Sequence, residues 1–250
     1  MAWRISAGLA STIILASTFA QADSLIINGN FETGIAGWTT SVQIGSAGNV
    51  FIASNNGGNA PLSNNSYAFN PSGGNFFALT DQEGPGSYSL TQSFTVAPGT
   101  IGVTVSFDLF ANNYADTVHS GRDFATPALT QNAEVDILLG GADPFTNSAA
   151  DIVSVLYGPG ADTGPNPNPW TSYSIDLGTL APGVYQIRFA ETDNVFTFNM
   201  GIDNVQVAIV PGPIIGAGLP GLILAGWVSS AGGDAGSQAR RRRKAVTPLA

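Results

Sequence analysis

The chain has 250 residues, of which only 10% are charged, while 31 are glycine and 15 are proline. This composition favours short strands joined by loops. The absence of cysteine excludes disulfides, thiolate catalysis and cysteine-bound zinc. Between Asp23 and Ala208, sixteen acidic residues accompany only two basic ones, Arg122 and Arg188. Such an acidic body repels the phosphates of nucleic acids and attracts cations.

Residues 1–22 have the order of a secretory signal peptide. A short positive start ending at Arg4 precedes a mostly apolar run over 5–19, and Ala20-Gln21-Ala22 is the small-x-small pattern that signal peptidase needs. The apolar run is shorter than the roughly 20 residues that a membrane-spanning helix needs. The sequence therefore predicts export and removal of residues 1–22.

Alternation of apolar and polar residues predicts strands along the mature chain. In 101–109 the odd-numbered residues are apolar and the even-numbered ones are small or polar, and in 88–96 serines and threonines alternate with larger side chains. Strands with one polar side favour two antiparallel sheets packed face to face, so we expect one all-β domain, an antiparallel β-sandwich, over 23–208. The other predicted strands are 24–27, 38–44, 50–53, 76–80, 134–139, 152–157, 171–177, 185–189 and 203–209.

Two long loops, 54–75 and 158–169, are rich in Asn, Gly, Ser and Pro. Long loops on a rigid sandwich often carry binding, although solvated connections look the same in sequence. Sugar recognition would need an aromatic platform near polar groups. The candidates lie in or beside loops, and each could instead pack in the core: Tyr67, Phe69, Tyr114, Trp170 and Tyr173.

The sequence predicts that the protein is not an enzyme. His119 is the only histidine, and neither a Gly-x-Ser-x-Gly elbow nor a phosphate-cradling loop is present. Paired carboxylates can hydrolyse glycosides, but carboxylates two residues apart on the polar face of a strand are expected at the solvent-exposed surface. The pairs of this kind are Glu134 with Asp136, Asp81 with Glu83, and Glu191 with Asp193.

Asp203 is a carboxylate whose position in its strand suggests burial. In 203–209 it has the same phase as Val205 and Val207, which predicts an inward-facing side chain. A buried carboxylate needs a partner, and calcium suits oxygen ligands of this kind. The alternative is that Asp203 lies in a turn and, with Asn204, caps backbone amides.

Two terminal motifs resemble those of bacterial galactose-binding-like jelly rolls and related carbohydrate-binding modules. Residues 28–34 read Asn-Gly-Asn-Phe-Glu-Thr-Gly before Gly37-Trp38, and residues 202–205 read Ile-Asp-Asn-Val. The resemblance implies a jelly roll in which the first and last strands meet. It also implies glycan binding and a structural calcium held by Glu32 and Asp203. Similar segments occur at 77–82, 90–94 and 187–194.

Residues 209–250 resemble the PEP-CTERM sorting signal of Gram-negative bacteria that make exopolysaccharide. The resemblance implies processing by exosortase. The resemblance implies transient anchoring in the inner membrane, with the basic end cytoplasmic, followed by release to the cell surface or medium. A disordered tail with a basic end is the alternative. The motif and the basic end comprise Val210, Pro211, Gly212, Pro213, Arg240, Arg241, Arg242 and Arg243.

Together these features predict an exported, non-enzymatic module that binds glycan, such as the exopolysaccharide of the producing cell. A structural matrix or surface-coat protein without a specific sugar ligand is the alternative.

Overall fold

The computed structural model describes residues 24–54, 59–66, 70–115, 121–125, 128–158 and 166–211. Within these ranges there are ten β-strands and no helix, hence none that could span a membrane. The strands are β1 (Thr39–Val42), β2 (Gly48–Ser54), β3 (Phe76–Gln82), β4 (Gly86–Val96), β5 (Thr100–Asn113), β6 (Gln131–Leu139), β7 (Ile152–Tyr157), β8 (Thr171–Gly178), β9 (Gly183–Asp193) and β10 (Phe198–Pro211).

The strands form two five-stranded antiparallel sheets, which confirms the predicted β-sandwich. The first sheet has the order β1-β4-β9-β6-β7 and the second has the order β2-β3-β10-β5-β8. From β3 to β10, the eight strands follow the order of a jelly roll, with β1 and β2 added at one edge of each sheet.

The core lies between the sheets and is built by the residues that alternation placed on one side of each strand. In β5, Val103, Val105, Phe107 and Leu109 are all buried in it. Phe107 packs edge-to-face on Phe189 of the opposite sheet, with ring centroids 5.5 Å apart. Burial of each large apolar side chain contributes roughly 1.5–3 kcal/mol, so this interface is the main stabilising element of the domain.

Ten of the eleven predicted strands are present, and 24–27 is the exception, since these residues form bends. They nevertheless run beside the last strand: the Leu25 amide donates to the Val207 carbonyl at 2.8 Å, and the Val205 amide donates to the Gly29 carbonyl at 2.9 Å. A Cβ atom on Gly29 would collide with the Val205 carbonyl, so the close approach requires glycine. The two ends of the domain therefore meet.

The prediction that the paired carboxylates are solvent-exposed holds for Glu83 and is wrong for the other five, since Asp81, Glu134, Asp136, Glu191 and Asp193 are all buried. Glu134 and Asp136 show one reason. Both lie on the outer face of β6, but loop 140–151 and Arg122 cover that face, and Asp136 is fully buried. Arg188 donates from Nε to Asp136 Oδ2 at 3.1 Å and from Nη1 to two carbonyls of the loop. Arg122 pairs with Glu134 and lies 3.3 Å from Asp136. Alternation located the face correctly but gave no sign of the loop over it.

The predicted phase of Asp203 is also wrong. The pairing of β10 with β5 shifts register between Asp203 and Gln206, where Asn204 has φ of 51°. This bulge changes which residues point inward. Ile202 and Val205 therefore both face the core, while Asp203 lies on the outer face beside Asp108 of β5.

β10 also runs further than the predicted domain boundary at 208. Val210 and Pro211 of the predicted sorting motif pair with β5, opposite Gly102 and Thr100. The compact unit accordingly ends at Pro211. The remaining residues of that motif and of the basic end, from Gly212 onward, lie outside the described residues, as do residues 1–22.

Candidate functional site

The two predicted metal ligands hold the same loop from opposite ends. Glu32 accepts hydrogen bonds from the amides of Asn75 and Phe76, at 2.6 and 3.0 Å. Asp203 accepts one from the Gly73 amide at 3.0 Å and one from its neighbour Asn204 at 2.7 Å. The loop before β3 is therefore fastened between the first motif of the chain and the last.

The two carboxylates differ in their electrostatic environment. Hydrogen bonds from the amides of Asn75 and Phe76 lower the pKa of Glu32. Asp203 is completely buried, and its burial raises its pKa to about 6 in spite of the amide of Gly73. Backbone amides thus act on both carboxylates, as the alternative interpretation of Asp203 expected.

The described residues do not bring a metal-binding set together around Glu32 and Asp203. Among them, no group of three or more histidine, aspartate and glutamate side chains is placed to hold an ion. The acidic residue paired with Asp203 across the strands is Asp108, which already accepts hydrogen bonds from Ser72 and Ser172. Calcium binding at Glu32 and Asp203 stays a prediction.

The predicted aromatic platform is not assembled at one surface. Tyr67 and Phe69 lie outside the described residues, as does His119. Tyr173 packs in the core, stacked on Phe107 with ring centroids 5.1 Å apart. Sequence alone could not show whether Tyr173 packs in the core or is exposed. Apolar and polar residues alternate along β8, but β8 is an edge strand whose inner face is only partly covered.

Tyr114 and Trp170 instead fasten loops to the outer face of the second sheet. The Tyr114 hydroxyl donates to the Ser66 carbonyl at 2.5 Å, and Trp170 Nε1 donates to the Asn70 carbonyl at 2.7 Å. The Trp170 ring packs on Phe110 with centroids 4.7 Å apart. A small second apolar cluster of Ala60, Phe77, Leu79 and Phe110 lies under these loops.

A groove lies at the edge of the first sheet. It is open to solvent, has a volume of about 520 Å³, and none of its lining residues is charged. β1 pairs with β4 only from Tyr88 to Thr91, so the groove forms where the edge of β4 extends beyond β1. We call this site the hydroxyl groove, and it is lined by Leu25, Ile27, Gly37, Thr39, Ser41, Thr91, Gln92, Ser93, Pro144 and Gln186.

The hydroxyl groove combines hydrogen-bonding groups with apolar surface. Its hydroxyls come from facing positions on neighbouring strands, such as Thr39 opposite Thr91. Ile27 remains 70% exposed at its rim. Gln92 is held in place because its amide group exchanges two hydrogen bonds with the backbone of Ile27, at 2.6 and 2.9 Å. Rigid strands therefore present an uncharged surface of hydroxyl, amide and aliphatic groups.

Sequence analysis missed this groove although its signal was visible. The row of serines and threonines in 88–96 was interpreted only as the wet side of a strand. Which of these hydroxyls stay exposed depends on where β1 begins and on the position of the loop that contains Pro144. Neither is encoded in the sequence of β4 itself.

A second, smaller cleft of about 240 Å³ opens at one end of the sandwich, between the loop after β3 and the loop after β9. Its inner wall includes Gln82 and Asp193, and Phe196 lies at its rim with 59% of its surface exposed. Burial raises the pKa of Asp193 to about 7, and the Gly86 amide offsets this only in part. We call this site the carboxylate cleft.

No protein-family model and no curated protein matches this chain. Solved structures of similar fold include TmCBM61 in complex with β-1,4-galactotriose, with 14% identity, a TM-score of 0.45, and coverage of 76% of this chain and 100% of that one. A cyclase from Fischerella sp. TAU has 16% identity and a TM-score of 0.47, over 77% and 99% of the two chains. The K3 adhesin domain of Lys-gingipain from Porphyromonas gingivalis has 14% identity and a TM-score of 0.42, over 75% and 97%. At such identities and TM-scores, these likenesses do not say what this chain binds.

Proposed function

We propose that this chain is an exported, non-enzymatic β-sandwich module that binds a neutral glycan in the hydroxyl groove. The observation that carries the proposal is an uncharged groove, lined with hydroxyl and amide groups, on a domain that is otherwise strongly acidic. Hydroxyl and amide side chains match the hydroxyls of a sugar, and the aliphatic surface of Ile27 and Pro144 suits the apolar face of a pyranose ring.

The electrostatics of the domain favour an uncharged ligand. The net negative charge of the body disfavours phosphorylated or carboxylated ligands through long-range repulsion. Its two arginines form ion pairs with Glu134 and Asp136, so neither is available to bind an anionic ligand at the surface. A neutral exopolysaccharide therefore suits this domain better than an acidic one.

The arrangement of the carboxylates supports a binding role rather than glycoside hydrolysis. Glu134 and Asp136 are buried against arginines. Asp81 is fully buried and accepts hydrogen bonds from the backbone of Leu62 and from the side chain of Asn199. None of these three carboxylates lines the hydroxyl groove.

Removing two hydroxyls from the groove should weaken glycan binding about tenfold, since each hydrogen bond contributes roughly 0.5–1.5 kcal/mol. The variant is Thr39→Val with Ser93→Ala, measured by affinity electrophoresis and calorimetry on neutral polysaccharides. Thr95→Val is the matched control, because Thr95 is an exposed hydroxyl on the same face of β4 outside the groove. Equal weakening by the control, or no retention of the wild type on any polysaccharide, would contradict the proposal.

A structural matrix or coat protein is the second candidate, and the edge strand β7 is the feature that favours it. Val153 and Val155 are exposed on this strand, at 37% and 52%. An apolar strand at a sheet edge is a template for pairing with another chain. Concentration-dependent sedimentation without saccharide, together with no glycan retention, would favour this candidate over the first.

For the termini we propose cleavage by signal peptidase after Ala22 and processing of the tail by exosortase, which would leave the domain at the cell surface or in the medium of a Gram-negative bacterium. Intact-mass spectrometry of the exported protein from a host with exosortase should give a chain that starts at Asp23 and lacks the arginines at 240–243. A mature protein that still ends at Ala250 would contradict tail processing. The β-sandwich itself should be preserved through Pro211 in either case.

A further inference from the structure

The interior of the sandwich becomes polar at the end where the carboxylate cleft opens. Phe189 of β9 faces the core, and Glu191 and Asp193 continue the same side of that strand. Thr80 of β3, in the opposite sheet, donates a hydrogen bond to Glu191. Two carboxylates two residues apart therefore lie between the sheets, in line with the apolar core.

Among the residues that the structure describes, no positive side chain pairs with Glu191 or Asp193. The body has only two basic residues, and both Arg122 and Arg188 lie on the outer face of the first sheet with Glu134 and Asp136. Burying an anion without a counter-charge carries a large desolvation cost. Glu191 and Asp193 can therefore both be ionised only at a large cost in free energy, which a cation from outside the folded chain would remove.

The geometry leaves oxygen atoms open for such a partner. Glu191 Oε1 and Asp193 Oδ1 are buried and have no hydrogen-bond partner among the described residues. Asp193 is only 3% exposed, yet it lines the carboxylate cleft together with the 1%-exposed Gln82. The cleft, at about 240 Å³, has room for an ion with its water molecules.

We propose that Asp193, at the floor of the carboxylate cleft, and Glu191, buried behind it, bind a divalent cation, with Ca²⁺ as the matching ion. The available ligands are all oxygens, which excludes the nitrogen and sulfur ligands that zinc and copper prefer. Calcium tolerates irregular oxygen sets that include water. Because only two carboxylates contribute, the amide oxygen of Gln82 and water entering through the cleft complete the shell. This site differs from the one predicted at Glu32 and Asp203, and it does not depend on glycan binding.

The test is calorimetric titration of the purified, chelator-treated full chain with Ca²⁺. Glu191→Gln with Asp193→Asn keeps the shape of both side chains and should weaken binding at least tenfold. Glu32→Gln with Asp203→Asn should change the affinity less than twofold. Asp143→Asn, at an exposed position outside this cleft, is the charge control and should also have less than a twofold effect.

Terbium luminescence excited through tyrosine gives a second readout, because Tyr88 lies opposite Glu191 on β4. The wild type should sensitise bound Tb³⁺, and Ca²⁺ should displace it. If the double variant fails to fold by circular dichroism, Asp193→Asn alone takes its place. A wild type that binds neither ion, or binding that survives in the cleft variants and is lost in the Glu32 and Asp203 variant, would overturn the proposal.

Discussion

Arg188→Met is expected to lower the free energy of unfolding by about 3–5 kcal/mol, because it leaves Asp136 buried without its main counter-charge. Arg188 and Asp136 are both completely buried. The guanidinium also donates to the carbonyls of Pro144 and Thr146, at 3.2 and 2.9 Å, so its loss releases loop 140–151. Equilibrium urea unfolding, monitored by tryptophan fluorescence, measures the change.

A double variant separates the cost of the orphaned charge from the loss of packing. Arg188→Met with Asp136→Leu removes both charges, and we expect it to recover at least half of the lost stability, since buried ion pairs are often replaceable by apolar residues. Asp143→Asn is the control, because Asp143 is exposed in the same loop and its loss should cost less than about 1 kcal/mol. A loss below about 1 kcal/mol for Arg188→Met would show that the pair is not the anchor of the loop.

The strands were predictable from sequence because alternation reports directly on the inner face of each sheet. In β5, every residue that the pattern placed inward between 103 and 109 is buried in the core. The boundaries were less accurate. β10 begins five residues before the predicted start at 203, where Gly201 and the polar Asn199 interrupt the apolar pattern.

The outer faces could not be predicted, because their burial is decided by loops far away in sequence. Glu134 is polar and alternates correctly, yet it is buried by residues from loop 140–151 and by Arg122. Asp203 was predicted to face the core, but a bulge at Asn204 turns it to the outer face. The bulge depends on backbone conformation, which the alternation of apolar and polar residues does not encode. Both clefts likewise form where segments from separate parts of the chain meet.

The domain is expected to become more stable as the pH falls from 8 to 5, the reverse of the usual behaviour of acidic proteins. Burial, reinforced by Asp136, raises the pKa of Glu134 to about 7, and Arg122 offsets this only in part. In the unfolded chain the pKa of Glu134 is near 4.5. Between pH 4.5 and pH 7 the folded state therefore binds more protons than the unfolded state. The stabilisation is fully present below about pH 4.5 and is lost as the pH rises through about 7. Asp203, with a pKa of about 6, acts in the same direction.

Urea unfolding at intervals from pH 5 to pH 8, with chelator present so that no cation fixes a carboxylate in its charged form, should show a gain of roughly 2 kcal/mol toward the acid end. Glu134→Gln should flatten part of this slope, because its amide cannot ionise, whereas Glu83→Gln, at an exposed position, should leave it unchanged. Glu32 has a lowered pKa, so the loss of its charge falls below this window and does not mask the effect. Stability that rises from pH 5 to pH 8 would mean that Glu134 stays ionised in the folded protein, with Arg122 outweighing the cost of its burial.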